Sequence, residues 1–227
     1  MREREPRQRE WRFLQLTLFM AAWMLLAPLV GDRWLVNALL QAFLLNSVLV
    51  TLWANPEWIR ARSIMIGLWL FSLACSAFAL APLPPGWQQF ARSLDAASFL
   101  PLLALLAVGI LRFVFRSRRL TADGIVATVA VYVLIALSFA QLYTLVIVWD
   151  PQSFDLPVTA AERSPQLLQV DLLYFSLITL ATVGYGDILP LSDTARMLAA
   201  IEAIVGQFYV AVVVAVFVGM FAAQRRP

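Results

Sequence analysis

The chain of 227 residues is 62% hydrophobic and 14% charged, whereas an ordinary globular domain is roughly 45–50% apolar and about 25% charged. This composition excludes a soluble enzyme and indicates a membrane protein. The net charge is +3, and all 17 basic residues are Arg in short clusters, which excludes an extended nucleic-acid-binding face. Because the chain has no His and a single Cys, Cys75, it offers no His-containing metal site, no His-based triad and no intrachain disulfide. We therefore expect neither enzymatic activity nor a nucleic-acid partner.

Apolar runs of membrane-crossing length follow one another along the sequence. Six of them approach or exceed the roughly 20 residues that a helix needs to cross a bilayer. They cover residues 13–30, 34–54, 64–83, 97–115, 125–149 and 197–223. A seventh run, residues 172–182, is too short to span and leads at once into a Gly-rich segment, so it predicts a re-entrant segment. The sequence therefore predicts an all-α membrane protein with six transmembrane helices.

The distribution of Arg predicts the orientation. With a cytoplasmic N-terminus, most of the 17 Arg residues lie on the cytoplasmic side, as expected from the excess of basic residues in cytoplasmic loops. Both termini are then cytoplasmic. The first run is longer than the apolar part of a cleaved secretory signal and lacks a small-residue cleavage site, so it predicts a signal anchor. Arg without Lys is typical of a GC-rich bacterial genome, which favours the bacterial inner membrane.

One motif lies between the fifth and sixth runs, where residues 174–187 read YFSLITLATVGYGD. The Thr-Val-Gly-Tyr-Gly run at 182–186 resembles the signature of the potassium channel superfamily, and the layout of the whole chain resembles voltage-gated-type channels. A backbone whose carbonyls all point to one side must visit left-handed dihedrals, which glycine adopts without a Cβ clash. Gly184 and Gly186 provide this freedom.

The resemblance implies a selectivity filter that holds K⁺ ions and needs no other cofactor. The residues that bind K⁺ are then Thr182, Val183, Gly184 and Tyr185. Gly186 completes the filter, and Asp187 lies at its outer mouth. We expect the Val183 and Tyr185 side chains to turn outward and pack against the supporting helix. Since one strand forms only one wall of such a ring, the protein is expected to be a homotetramer.

The run before the filter is expected to form a pore helix over residues 171–181, with Asp171 as its N-cap. The C-terminal end of that helix would direct its negative dipole end toward the ion cavity. Tyr174 and Phe175 resemble the aromatic cuff of the family's pore helix. An aromatic belt at the membrane interface explains these two residues equally well.

Two residues are candidates for supporting the filter. Ile178 stands where some family members place a Glu behind the filter, and Glu202 is the candidate that replaces this Glu. An ionisable residue inside an apolar span indicates function by default, and we expect Glu202 to contact the pore helix through Thr179 or a backbone group. The alternative is that Glu202 lies near the outer interface and is hydrated.

Two neighbouring residues of the sixth run are gating and cavity candidates. Gly206 follows Asp187 by 19 residues, a spacing that resembles that of the hinge glycine on the inner helix of potassium channels. The alternative is close packing against a neighbouring helix. Gln207 either faces a water-filled cavity or bonds a neighbouring helix.

The fourth run lacks the charges of a voltage sensor. A sensor needs several Arg within the membrane, whereas residues 97–111 contain no charge. The domains predicted are a cytoplasmic N-terminal segment (1–12), a non-sensing four-helix peripheral domain (13–115), a cytoplasmic linker (116–124), a pore domain (125–223) and a short cytoplasmic tail (224–227). The pore domain comprises helix 5, pore helix 171–181, filter 182–187 and helix 6.

The predicted function is a potassium-selective channel that conducts K⁺ passively and is insensitive to voltage. A weakly selective cation channel and a non-conducting regulatory channel subunit are the alternatives. Arg116, Arg118 and Arg119 would lie at the height of anionic lipid headgroups, so lipid binding is a hypothesis. Anchoring of the topology alone is the other explanation of these three residues.

Overall fold

The structure is a computed structural model that describes residues 12–26, 29, 33–116, 121–156 and 165–224. Within these ranges the chain is almost entirely helical, as the sequence predicts. The elements in chain order are α1 (Arg12–Leu26), α2 (Arg33–Ala54), α3 (Ile59–Leu80), α4 (Pro85–Arg116), α5 (Ala122–Trp149), β1 (Phe154–Asp155), α6 (Pro165–Leu180), β2 (Leu189–Pro190) and α7 (Asp193–Gln224).

Five helices, α2 to α5 and α7, are long and apolar enough to cross a membrane. The described part of α1 has 15 residues, which is about 22 Å at 1.5 Å per residue and shorter than the roughly 30 Å of a bilayer core. A multi-pass helical membrane protein is therefore confirmed, and the six-span count remains a prediction.

Helix α4 begins 12 residues before the predicted start at Ala97. Its first residue is Pro85, and proline suits the first turn of a helix because that turn leaves its N–H groups unbonded. In the sequence, the charges of Arg92 and Asp95 interrupt the apolar pattern, so this pattern revealed only the part of α4 that follows them. Ser76 of α3 donates a hydrogen bond of 2.6 Å to Asp95, so this carboxylate has a partner within the helix bundle.

The first four helices pack against α5 of the same chain, mainly through α1 and α4. At the start of α5, the Phe13 N–H donates to Asp123 Oδ1 at 3.0 Å. Near the other end, Gln89 Nε2 of α4 donates to the Val148 carbonyl at 3.0 Å. Helix α5 also packs against α6 and α7, so it lies at the centre of the fold.

A two-stranded sheet, which the sequence analysis missed, joins the segments on either side of α6. Strands β1 and β2 pair antiparallel, with Phe154 opposite Pro190. The Leu191 N–H extends this pairing with a bond of 2.8 Å to the Ser153 carbonyl. The chain therefore enters α6 and leaves the following segment at the same end of the bundle, which is the path of a re-entrant segment.

Helix α6 begins at Pro165, so the predicted start at residue 171 is wrong by six residues. Asp171 lies inside the helix and is not its N-cap. The polar residues Gln166 and Gln169 and the charge of Asp171 interrupt the apolar run, which is why the sequence pattern revealed only the second half of this helix. Its observed end at Leu180 lies one residue before the predicted end.

Helix α7 makes little contact with the rest of its own chain. Only three of its residues are buried, and they are Ala195, Glu202 and Gly206. The remaining surface is largely apolar and exposed and includes Ile204 and Phe208. An apolar face of this length requires lipid or another protein surface to cover it.

Candidate functional site

The chain leaves α6 through a turn that folds back on the helix end. The Thr182 N–H donates to the Thr179 carbonyl at 2.9 Å, and the Val183 and Gly184 N–H groups donate to the Ile178 carbonyl at 2.8 and 3.4 Å. Ile178 therefore supports the following segment through its backbone oxygen. Three consecutive amides of residues 182–184 are bound to the end of α6, which fixes the inner end of the segment.

Every second residue of this segment has left-handed backbone geometry. The φ angles are +56° at Thr182, +54° at Gly184 and +77° at Gly186. The conformation expected at the two glycines is present. The third position was not predicted, because a β-branched residue with positive φ is uncommon and costs about 1–3 kcal/mol.

All seven residues from 181 to 187 are exposed in the single chain. The side chain of Val183 is 52% exposed and that of Tyr185 is 72% exposed. The packing of these two side chains against the supporting helix therefore remains a prediction, since the single chain leaves much of their surface exposed.

The outer end of the segment is tied to α6 by a side-chain contact. The Tyr174 hydroxyl donates to Asp187 Oδ2 at 2.7 Å. The neighbouring Phe175 is buried and packs with its ring centre 5.2 Å from that of Tyr143 and 5.5 Å from that of Phe154. Phe175 thus belongs to the interior of the bundle and not to an interfacial belt, whereas Tyr174 positions Asp187.

Glu202 of α7 is completely buried. The Tyr143 hydroxyl of α5 donates to Glu202 Oε2 at 2.6 Å, and the Ser176 hydroxyl of α6 contacts Glu202 Oε1. Ser176 Oγ also lies 2.8 Å from the carbonyl oxygen of Ala136. The hydrated alternative is therefore wrong. The expected partner Thr179 is also wrong, because its neighbour one turn earlier, Ser176, is the fully buried residue of α6 at this contact.

The sequence analysis missed Tyr143 and Ser176 as members of this cluster. Both are polar residues within apolar helices, as is Glu202. Because polar groups buried in a membrane helix require hydrogen-bond partners, three such residues on separate helices were a signal that they meet. The residue spacing along the chain gave no indication of which pairs form.

Gly206 lies where α7 touches the end of α6. A Cβ atom at this position would lie 2.4 Å from the Leu180 carbonyl oxygen, closer than any real contact. The helix continues without interruption through Gly206. Close packing thus accounts for this glycine directly, and the hinge role remains a prediction that rests on its spacing.

Gln207 reaches the inner end of the exposed segment. Its Nε2 lies 3.4 Å from Thr182 Oγ1, and both side chains are exposed. Of the two alternatives for Gln207, the contact with Thr182 favours a position facing a cavity. The structure thus brings together residues 178–187, Glu202, Gly206 and Gln207 around the end of α6.

Arg116, one of the three arginines considered for lipid binding, is the last residue of α4. Arg116 forms a salt bridge with Glu57, and the Arg112 guanidinium carbon lies 5.8 Å from the centre of the Trp58 ring. These contacts connect the end of α4 to the turn between α2 and α3. Arg118 and Arg119 lie outside the described residues, so lipid binding by these residues remains a prediction.

Comparisons with known proteins identify the second half of the chain. A family described as "Ion channel" matches residues 131–223, from within α5 to the last residues of α7. Protein LctB of Bacillus caldotenax is 35% identical over 98 residues, which cover 43% of this chain and 72% of that protein. The matched family region contains the exposed segment, Glu202 and Gly206.

Replacing Gly206 by Ala is expected to destabilise the protein, because the added methyl group meets a backbone oxygen that cannot rotate away. Overpacking of this kind costs typically 1–3 kcal/mol. Gly219→Ala is the matched control on the same helix, since nothing lies within 4 Å of a Cβ there. Thermal unfolding in detergent should show a lower Tm for Gly206→Ala alone. An unchanged Tm accompanied by altered gating would contradict the packing explanation and support a hinge.

Replacing Glu202 by Leu should lower the Tm more than Glu202→Gln does. Leu leaves the Tyr143 and Ser176 hydroxyls without their acceptor, and each buried polar group left unsatisfied costs about 1–3 kcal/mol. The Gln side chain has the same length as that of Glu and retains one carbonyl oxygen as an acceptor. The double variant with Tyr143→Phe and Glu202→Leu should lose less stability than the sum of the two single variants, because each single change already removes the same Tyr143–Glu202 hydrogen bond. Full additivity would show that the two residues do not interact.

Proposed function

Because this chain belongs to the ion channel family, we propose that four copies of it form a potassium-selective channel that conducts K⁺ passively across the membrane. The observation that supports this function best is the left-handed geometry at Thr182, Gly184 and Gly186. It occurs at every second residue of an exposed segment. This pattern is what the chemistry of ion dehydration requires.

The argument concerns the direction of backbone carbonyls. In an extended strand, successive carbonyls point to opposite sides. A left-handed residue at every second position reverses that alternation, so neighbouring carbonyl oxygens turn to one side and can replace the water around an ion. In this proposal the carbonyls of Thr182, Val183, Gly184 and Tyr185 bind K⁺, and the Thr182 hydroxyl adds an oxygen at the inner end. Gly186 completes the filter and Asp187, held by Tyr174, shapes its outer mouth.

A tetramer would satisfy two surfaces that the single chain leaves exposed. The segment 181–187 forms one wall and needs others to surround an ion. The apolar surface of α7 also lacks a partner within the chain. Four copies around a common axis would place both surfaces at the centre of a symmetric assembly.

The direction of α6 supports cation binding by its electrostatics. The C-terminal end of a helix carries about half an elementary negative charge because its last carbonyls lack intrahelical partners. That end, at Leu180, immediately precedes Thr182. In the tetramer, four such ends would face the inner end of the filter and lower the energy of a cation there.

The remaining assignments complete the proposal. Residues 13–115 form a peripheral domain without voltage sensing, residues 125–223 form the pore domain, and both termini lie in the cytoplasm of a bacterial cell. Glu202 holds α5, α6 and α7 together behind the filter and so takes the supporting role that the Ile178 side chain does not fill. Arg116, Arg118 and Arg119 are the proposed contacts with anionic lipid.

The selectivity of the purified protein tests this function. In a planar bilayer with K⁺ on one side and Na⁺ on the other, the reversal potential should lie near the K⁺ equilibrium potential. Gly184→Ala should abolish selectivity, because alanine is strained by about 1–2 kcal/mol at the φ of +54° found there. Gly67→Ala is the control, since Gly67 has nothing within 4 Å of a Cβ and no positive φ.

Two results would contradict the proposal. A reversal potential near zero in the wild-type protein would indicate a weakly selective cation channel. Absence of current from the chain alone, with current after addition of another channel protein, would indicate a regulatory subunit.

The conductance should depend little on voltage. Each elementary charge that crosses 100 mV contributes about 2.3 kcal/mol, and residues 97–111 of α4 contain no charge. We expect the conductance–voltage relation of the purified channel to correspond to less than about one gating charge. A steep relation that requires several gating charges would show that other charged residues move through the field.

A further inference from the structure

Between Glu202 and Gln224 the surface of α7 is apolar except at one exposed position. Between Glu202 and Gln224 the sequence contains two residues with polar side chains, Gln207 and Tyr209. The Tyr209 hydroxyl turns back to α5, where it donates to the Thr128 carbonyl at 2.7 Å. The side chain of Gln207 remains exposed. An amide facing lipid is costly, so this side chain must face water or a polar partner.

The partner within the chain is the filter itself. Gln207 Nε2 lies 3.4 Å from Thr182 Oγ1. The preceding residue, Gly206, sets the position of Gln207 relative to the end of α6. This glycine allows α7 to approach the Leu180 carbonyl more closely than any side chain would permit. The amide is thus held at the level of the inner end of the filter.

We infer that Gln207 and Thr182 together form a cation-binding ring at the inner end of the filter, in which the Gln207 amide oxygen is a ligand beyond the backbone carbonyls. This inference rests on the proposed tetrameric channel. The Gln207 N–H donates to the Thr182 hydroxyl and leaves Gln207 Oε1 free to face the ion. Amide and hydroxyl oxygens are neutral ligands suited to hard cations.

The charge of the ring determines which ions it holds. Four amide oxygens and four hydroxyl oxygens carry no net charge, so their attraction for an ion is that of dipoles and grows with the charge of the ion. A monovalent ion is therefore released readily, whereas a divalent cation of similar radius is retained. Ba²⁺ has an ionic radius close to that of K⁺ and is the appropriate probe.

The test measures inhibition by Ba²⁺ applied to the side opposite Asp187. With the purified full chain in a planar bilayer, Gln207→Leu should weaken Ba²⁺ inhibition of its own K⁺ current at least tenfold relative to wild type. Gln207→Glu should strengthen inhibition at least tenfold because it adds charge to the ring. Gln207→Asn retains the amide but shortens its reach, so its effect should lie between those of wild type and Gln207→Leu.

Gln224→Leu is the matched control, because it removes an amide from the same helix about 26 Å away at 1.5 Å per residue. It should leave inhibition unchanged. The inference is overturned if Gln207→Leu retains wild-type Ba²⁺ inhibition while it conducts K⁺ selectively. It is also overturned if Gln224→Leu weakens inhibition as much as Gln207→Leu does.

A second measurement separates this inference from the proposed function. A ligand that binds the folded state raises its Tm, so Ba²⁺ should raise the Tm of the wild-type protein in detergent and have a smaller effect on Gln207→Leu. If the wild type conducts no K⁺, the proposed function is wrong, and the thermal shift then decides the inference. Equal shifts in wild type and Gln207→Leu would overturn it.

Discussion

The attachment of residues 182–187 at both ends is the constraint on which the rest of the second half of the chain depends. A strand with left-handed geometry at a β-branched residue relaxes unless its surroundings hold it. Here the inner end is bound through three amides to the carbonyls of Thr179 and Ile178. The outer end is bound through Asp187 to Tyr174, and the pairing of β1 with β2 follows at once. The strained segment is therefore attached to α6 at both of its ends.

Helix α6 must itself be fixed in position, and Glu202 contributes to this. Burial of a carboxyl group in an apolar region is unfavourable unless its oxygens are hydrogen-bonded. The two oxygens of Glu202 meet hydroxyls from two other helices, Tyr143 and Ser176, so their separation fixes α5, α6 and α7 relative to one another. One turn further along α7, Gly206 permits backbone contact with the end of α6. A polar contact and a steric contact thus define the same interface, and a substitution at either position should affect the segment that follows α6.

The left-handed geometry at Gly184 and Gly186 could be predicted from sequence because local chemistry dictates it, whereas that at Thr182 could not. Gly184 and Gly186 alternate within five residues, and only glycine adopts positive φ without cost. The start of α6 could not be predicted, because the polar first half of this helix resembles a loop. The pairing of β1 with β2 could not be predicted either, because Asp155 and Leu189 are 34 positions apart and meet only in the fold. The Tyr143–Glu202 hydrogen bond could not be predicted for the same reason, because the two residues are 59 positions apart and no sequence periodicity relates them.

Helix α5 connects the first four helices to α6 and α7. It contacts α1 and α4 on one side and α6 and α7 on the other, and it carries Tyr143 at the point where the latter two meet. A displacement of α4 would act on α5 near Val148, through the bond from Gln89. Tyr143 lies little more than one helical turn from Val148, so such a displacement would reach the Glu202 carboxyl directly. The bonds from Gln89 to Val148 and from Tyr143 to Glu202 therefore form a continuous physical connection from α4 through α5 to the carboxyl group that also contacts α6.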